Sequence, residues 1–138
     1  MTIEAFFPNL PVTDLPRAVA FYEALGFAVN PQFTNEVGAS IVLSDTASLM
    51  LVTHGFFGEN TPRAIADAHA TTEVLLAIRL ASRKAVDDMA NAALAAGGTE
   101  SRAASDLGFM YGRSFSDPDG HIWEPFWMDP AGPPADAA

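Results

Sequence analysis

One order of predicted elements occurs twice along this chain, and the repetition constrains the fold more than any single motif. Residues 3–53 have the pattern of a strand, a helix and three further strands, and residues 73–128 have it again. Val12 and Leu80 occupy matching positions 68 residues apart, while Gly26 and Gly97, which end the two helices, are 71 apart. Both spacings are close to half of the 138 residues. The sequence therefore predicts an α+β fold of two βαβββ modules.

The helix boundaries carry the usual capping residues. Thr13 or Asp14 can cap the first helix, and Pro16 falls in its first turn, where a missing N–H costs no hydrogen bond. Gly26 supplies the left-handed residue that ends this helix, and Ser82 opens the second one. The apolar positions expected to be buried are Ala18, Val19, Tyr22 and Leu25 in the first helix and Val86, Met89, Ala93 and Leu94 in the second.

Alternating apolar residues predict eight strands, and the breaks between them predict the domain organisation. The strands are expected near 3–10, 28–34, 39–43, 48–53, 73–80, 100–105, 109–116 and 121–128. Glycine, asparagine and proline interrupt residues 54–72, which are interpreted as a connector with one helical turn after Thr61. The expected units are a first module over 1–53, the connector over 54–72, a second module over 73–129 and a disordered tail over 130–138.

Composition narrows the choice of partners. Seventeen acidic against seven basic residues give a formal net charge of −10, which disfavours nucleic acid and weakly favours cationic ligands. The chain has no cysteine, so disulfides, thiolate zinc sites and a cysteine nucleophile are excluded. Neither a membrane span nor a signal-peptide pattern is visible, and a cytoplasmic protein is expected.

Two motifs at opposite ends of the chain resemble a known superfamily. NLPVTDLPRAVAFYEALGF resembles the opening, and DPDGHIWE the closing hairpin, of the glyoxalase, bleomycin-resistance and extradiol-dioxygenase group, the vicinal oxygen chelate superfamily. GFMYGRSFSDPDGHIWEPFWMD is similar to a bacterial subgroup of predicted lactoylglutathione lyases. The resemblance implies two modules whose mixed sheets curl into a cup, with the helices outside and a ligand on the concave face.

The resemblance also implies four metal-ligand positions, on the first and last strand of each module. In this sequence those positions correspond to Phe7, Leu51, Leu75 and Glu124, of which only Glu124 has a side chain that can bind a metal ion. A divalent ion in such a site needs three or more nitrogen or oxygen ligands from the protein. We therefore expect no metal cofactor, with one divalent ion, bound through Glu124, as the alternative.

A carboxylate in an apolar cup needs a partner or a proton. If DPDG forms a two-residue turn, Arg113 lies opposite Glu124 and can pair with it. A loop one residue longer would instead place Gly112 or Ser114 opposite Glu124. An ordinary, half-solvated ion pair between Arg113 and Glu124 is the alternative interpretation.

Strand alternation, combined with the resemblance, predicts which side chains line the cup. Glu124 and Tyr111 are the candidates for proton transfer, Trp123 and Trp127 are expected on the helix side, and Phe56 with Phe57 either closes the cup or packs the connector. The predicted ligand-binding residues are Phe7, Asn9, Leu51, Leu75, Tyr111, Arg113, Phe115, Glu124 and Phe126, and the wall is completed by Leu49, Thr53, Ala77, Arg79 and Ile122.

The predicted function is that of a bleomycin-resistance-like protein, which binds a small, largely apolar or cationic molecule without a catalytic metal. A metal-dependent lyase of the lactoylglutathione-lyase type is the main alternative, and an extradiol dioxygenase, or a regulatory dimer with an empty core, are others. The resemblance also implies a homodimer, and unpaired edges of the two sheets make such pairing reasonable.

Overall fold

The computed structural model describes residues 1–136 of the chain. It comprises two compact units, the first over Met1–Thr71 and the second from Thr72 onward. Each unit contains one four-stranded sheet. Within residues 1–136, no helix combines the length and the apolar character that spanning a membrane requires.

The first unit has one helix in the connection between its two parallel strands. Its elements are β1 (Asn9–Val12), α1 (Leu15–Ala24), β2 (Ala28–Asn30), a 3-10 turn (Pro31–Phe33), β3 (Gly38–Val42), β4 (Ser48–Thr53) and α2 (His54–Glu59). The strand order is β1-β4-β3-β2, in which β1 runs parallel to β4 and the remaining pairs are antiparallel. Parallel neighbours need a crossover connection, and α1 lies in it.

The second unit repeats this arrangement. Its elements are β5 (Leu75–Arg79), α3 (Arg83–Ala95), β6 (Thr99–Asp106), β7 (Met110–Ser116) and β8 (Ile122–Met128). The strand order is β5-β8-β7-β6, with β5 parallel to β8. The α+β class and the repeated βαβββ order predicted from the sequence are confirmed.

Several element boundaries differ from the prediction. The first strand is expected over 3–10, but regular pairing starts at Asn9, since Pro8 has no N–H to donate. Before Asn9, the described residues form a single isolated bridge, between Phe6 and Ala47. The connector begins with a helix, α2, whose first turn is capped by the Thr53 hydroxyl accepting from the Phe56 N–H at 3.3 Å. Residues 130–136 form turns, and the end of the predicted tail, 137–138, lies outside the described residues.

Helix α1 buries one face of the first sheet. Asp14 caps it by accepting from the Arg17 N–H at 3.1 Å, and Leu15, Ala18, Phe21 and Tyr22 are its buried residues. Phe21 is buried although it was not predicted to be, whereas Val19 and Leu25, which were predicted to be buried, are only half-buried. The face of the sheet toward the core carries Leu10, Val12, Ala39, Ile41, Leu49 and Leu51, none of which is more than 5% exposed.

Helix α3 combines a narrow apolar stripe with a polar contact to the second sheet. Val86, Ala90 and Ala93 are buried, whereas Leu94, predicted in this stripe, is exposed. The Asp87 carboxylate accepts from the Tyr111 hydroxyl at 2.7 Å and from Arg113 Nη1 at 2.9 Å. These hydrogen bonds, first Tyr111 and then Arg113, lower the pKa of Asp87, and the bond to Asp87 raises the pKa of Tyr111.

A second charged contact lies at the start of α3. Arg83 donates through Nη1 to Asp106 Oδ2 at 2.8 Å and through Nη2 to Asp106 Oδ1 at 3.0 Å. Its guanidinium carbon is also 5.3 Å from the ring centroid of Tyr111 and 5.1 Å from that of Trp127. The bonds from Arg83 hold the pKa of Asp106 at about 2.

The Asp87 contact predicts a difference between two neighbouring carboxylates on α3. Asp87→Asn should lower the free energy of unfolding by about 1–2 kcal/mol, because Arg113, 14% exposed, loses its charged partner. Asp88→Asn is the matched control, since Asp88 forms only an exposed contact with Lys84. Urea unfolding of both variants tests this, and equal midpoints would contradict it.

The Arg83–Asp106 pair predicts a pH dependence. Because the pKa of Asp106 is depressed in the folded state, its stabilising effect is present above its unfolded pKa of about 4 and is lost as the pH falls through about 2. In Arg83→Gln the pKa of Asp106 should rise, though not fully, since the Gly108 N–H still donates to Oδ1 at 2.9 Å. Carboxyl-carbon NMR titration measures this pKa, and an unchanged value would exclude Arg83 as its cause.

Candidate functional site

A polar row crosses the open face of the second sheet, the face that α3 does not cover. Glu124 pairs with Ala77 on β5, and Arg102 on β6 pairs with Ser114 on β7. The register of β7 with β8 aligns Phe115 with Trp123, which sets Ser114 beside Glu124. Arg102, Ser114, Glu124 and Ala77 therefore follow one another across all four strands.

Glu124 has an arginine partner in this row. Arg102 donates through Nε to Glu124 Oε2 at 2.9 Å, and its Nη2 donates to the same oxygen. The Glu124 side chain is 19% exposed and that of Arg102 is 46% exposed. The carboxylate is thus bound through one oxygen by a guanidinium that remains largely in water.

The prediction that Arg113 pairs with Glu124 is wrong, and the length of the closing loop explains why. The Asp117 N–H donates to the His121 carbonyl at 2.9 Å, so three residues, not two, separate the paired ends of the hairpin. Gly120, with a φ of 92°, provides the left-handed residue that such a loop needs. The additional residue moves Ser114 opposite Glu124 and turns Arg113 to the other face.

Tyr111, Arg113 and Phe115 all lie on the helix side of the second sheet, contrary to the predicted position in the cup. Tyr111 pairs with Trp127, Phe115 pairs with Trp123 and is 1% exposed, and both polar groups contact Asp87. The proposed catalytic combination of Glu124 with Tyr111 is therefore not formed, because the two side chains are on opposite faces.

In the first unit the predicted residues are also separated. Leu51 pairs with Leu10 on the face buried under α1. The prediction that Leu51 and Leu49 face the cup is therefore wrong, because both side chains point to the opposite face of β4. Asn9 lies on the opposite face, and its Nδ2 donates to the Phe7 carbonyl at 2.9 Å. Phe7 itself precedes β1 and is 57% exposed.

Three of the predicted binding residues do share one face of the second sheet. Leu75 pairs with Ile122 and Arg79 with Phe126, so Leu75 and Phe126 lie on the same side as Glu124. Leu75 is 54% exposed, and Phe126 and Ile122 are half-buried. The result is a largely apolar surface that carries the ion pair of Arg102 with Glu124 and, beside Phe126, the exposed Arg79.

Arg102 is the functional candidate that the sequence analysis missed. Pairing shifts by one residue between Glu100 and Arg102, and without this bulge Arg102 would fall beside Arg113 on the helix side. The bulge reverses the face of Arg102 and brings it to Glu124. The segment TESRAASD has no glycine or proline to mark the bulge, so alternation alone could not locate it.

Ser114 adds an unsatisfied polar group to the same row. It is 3% exposed, and among the described residues its Oγ has no hydrogen-bond partner. A buried hydroxyl without a partner costs free energy, so its presence beside Glu124 calls for an explanation.

Comparison with known proteins agrees with this architecture. A family model described as bleomycin resistance protein-like N-terminal matches residues 5–41. A glyoxalase-related enzyme from Fulvimarina pelagi has a TM-score of 0.78 at 25% identity, over 99% of this chain and 96% of its own. The hypothetical protein SA1046 from S. aureus has a TM-score of 0.77 at 26% identity, over 93% and 95% of the two chains. The chain has the fold of the vicinal oxygen chelate superfamily.

The resemblance seen in the sequence is thereby confirmed at the level of the fold. The bleomycin resistance determinant encoded on transposon Tn5 has a TM-score of 0.61 at 21% identity, over 88% of this chain and 95% of its own. No curated protein matches the sequence.

The four residues that the resemblance assigned to metal positions do not fit a divalent ion. Phe7, Leu51 and Leu75 have hydrocarbon side chains, Leu51 is turned into the core, and Glu124 is bonded to Arg102. Within residues 1–136, histidine, aspartate and glutamate side chains form no group of three or more that could hold a metal. A carboxylate that already accepts hydrogen bonds from a guanidinium is poorly placed to bind a metal ion as well.

The unpaired Ser114 hydroxyl predicts that its removal stabilises the protein. Ser114→Ala should raise the free energy of unfolding by up to about 1 kcal/mol, because it removes a buried polar group without opening a cavity beyond one oxygen atom. Urea or thermal unfolding measures the change. A clear loss of stability would mean that the hydroxyl has a partner in solution.

Proposed function

We propose that this chain is a small-molecule binding protein whose site is the open face of the second sheet, at the row Arg102–Ser114–Glu124. The ligand is a small, largely apolar molecule that carries a cationic or hydrogen-bond-donating group, and no metal takes part. The observation that supports this most is the half-buried Glu124 carboxylate beside an unsatisfied Ser114 hydroxyl. Both can accept a hydrogen bond, and the neighbouring Leu75, Ile122 and Phe126 side chains on the same face are hydrocarbon.

The ion pair with Arg102 is suited to exchange with a ligand. Arg102 is on the edge strand and its side chain is 46% exposed, so its pairing with Glu124 is weak compared with that of a buried pair. An ammonium group of a ligand can replace the guanidinium on the same carboxylate. The net charge of −10 raises the local concentration of such cations.

Binding is favoured here over lyase or dioxygenase chemistry. Those alternatives require a metal, and the side chains at the superfamily positions do not supply its ligands. One structural neighbour is a bleomycin resistance determinant, which accords with a protein that acts by binding. A homodimer in the cytoplasm, as the resemblance and the lack of cysteine suggest, belongs to the same proposal.

The proposal is tested with benzylamine as a cationic probe and benzyl alcohol as a neutral one, by NMR titration of the full chain. Glu124→Gln should weaken benzylamine binding about tenfold, since it removes a charged acceptor. Arg102→Ala should strengthen it severalfold, because it removes the competing cation. Benzyl alcohol should respond to neither variant by more than about twofold.

Asp88→Asn is the matched control, since it makes the same change in net charge on the exposed surface of α3. If Asp88→Asn weakens benzylamine binding as much as Glu124→Gln does, the affinity depends only on the net charge of the protein, and Glu124 is not part of the binding site. Weaker binding by Arg102→Ala would also contradict the proposed exchange of cations.

A further inference from the structure

The ion pair on the second sheet uses only one oxygen of its carboxylate. Both Arg102 nitrogens that contact Glu124, Nε and Nη2, donate to Oε2, and within the described part of the chain no group donates to Oε1. The remaining nitrogen, Nη1, donates to the Ala103 carbonyl at 3.3 Å. In the pair of Arg83 with Asp106, by contrast, two nitrogens meet two oxygens, which is the stronger form of this contact.

The acceptors around this pair match the donors of a primary ammonium group. Once Arg102 moves away, Glu124 presents Oε1 and Oε2, and Ser114 Oγ, which has no hydrogen-bond partner among the described residues, is a third acceptor. A primary ammonium has three N–H donors that point in different directions, whereas a guanidinium is a planar fork. The row therefore has one acceptor for each donor of a primary amine.

Arg102 has no other carboxylate to pair with on this face. Besides Glu124, the four strands of the sheet contain two acidic residues, Glu100 and Asp106. Glu100 pairs with Phe115, and Asp106 pairs with Tyr111, so both lie on the helix side. A ligand with only a positive charge therefore forms one ion pair at the expense of another and leaves a guanidinium unpaired.

A second arginine makes this face of the sheet positive. Arg79 pairs with Phe126, two residues along β8 from Glu124, and its Nη2 donates to the Met128 carbonyl at 3.2 Å. Together with Arg102, the strand residues of this face carry two guanidinium groups and one carboxylate, although the whole chain has a formal net charge of −10. A ligand that also carries a negative group is therefore favoured here.

We infer that the ligand is a zwitterion of the amino-acid type, whose primary ammonium binds Glu124 and Ser114 and whose carboxylate binds Arg102. The ligand enters the ion pair and replaces one salt bridge by two, so neither charged group of the protein is left unpaired. Its apolar substituent contacts Leu75 and Phe126, which lie on the same face. This inference rests on the proposed function and names the class of ligand for that same site.

The test compares phenylglycine with two molecules that each lack one of its charges. Benzylamine is phenylglycine without the carboxylate, and phenylacetate is phenylglycine without the amine. In NMR titrations of the full chain at neutral pH, phenylglycine should bind more tightly than either, because it alone pairs with both Glu124 and Arg102. Glu124→Gln should weaken the binding of both amines.

Arg102→Ala should affect the two amines in opposite directions. Benzylamine binding should become severalfold stronger, because the competing cation is gone. Phenylglycine binding should become severalfold weaker, because its carboxylate then lies near Glu124 without a cation between them. Arg102→Lys should keep the preference for phenylglycine, since it keeps the positive charge. Lys84→Ala, which removes the same charge from the exposed surface of α3, is the matched control and should keep it too.

The inference and the proposed function fail in different ways in this design. If Glu124→Gln leaves the binding of both amines unchanged, the site itself is wrong. If Glu124→Gln weakens both amines but Arg102→Ala strengthens both, the site is correct and its ligand is a simple cation, not a zwitterion. The inference is also wrong if Arg79→Ala weakens phenylglycine more than Arg102→Ala does, or if Lys84→Ala weakens it equally. Because the Arg102 side chain is 46% exposed, its variants leave the buried core of the second unit unchanged.

Discussion

Each sheet of this protein packs against its own helix through one face, and the alternation of side chains between this face and the other decides what every strand residue can contact. In the first sheet the side chains beneath α1 are almost fully buried hydrocarbon. Successive side chains on a strand point to opposite faces, so a residue is assigned either to the core or to the open surface by a single step. A shift of one residue in register therefore moves a side chain from the face packed under the helix to the opposite face.

The second unit shows how such a shift builds a site. The bulge before Arg102 turns an edge-strand arginine toward Glu124, while the three-residue loop closed by Gly120 turns Arg113 away to Asp87. Two arginines and two carboxylates are thus sorted into separate pairs on opposite faces. The pair with Asp87 joins α3 to the sheet, and the pair with Glu124 lies on the opposite face, where the Arg102 side chain is 46% exposed. Ser114, between Arg102 and Glu124, is buried without a partner, a local cost of the kind that binding sites retain.

Where the superfamily implies a chelating site, this chain has hydrocarbon side chains and one neutralised acid. The binding function that we propose therefore relies on shape, hydrogen bonding and charge. In the second unit the proposal rests on one ion pair, Arg102 with Glu124, on a largely apolar face.

The order of elements, the helix caps and the alternation of faces along each strand can all be predicted from the residues alone. Glu124 and Phe126 were placed on one side of β8, and Trp123 and Trp127 on the other, by alternation alone, and the structure agrees. Which faces of neighbouring strands coincide follows from the pairing between strands, and this pairing joins Glu124 to Arg102 and turns Leu51 into the core. The physical reason is that alternation is a local property of one strand. Register between strands depends on loop length and bulges, and one residue in either reverses a face.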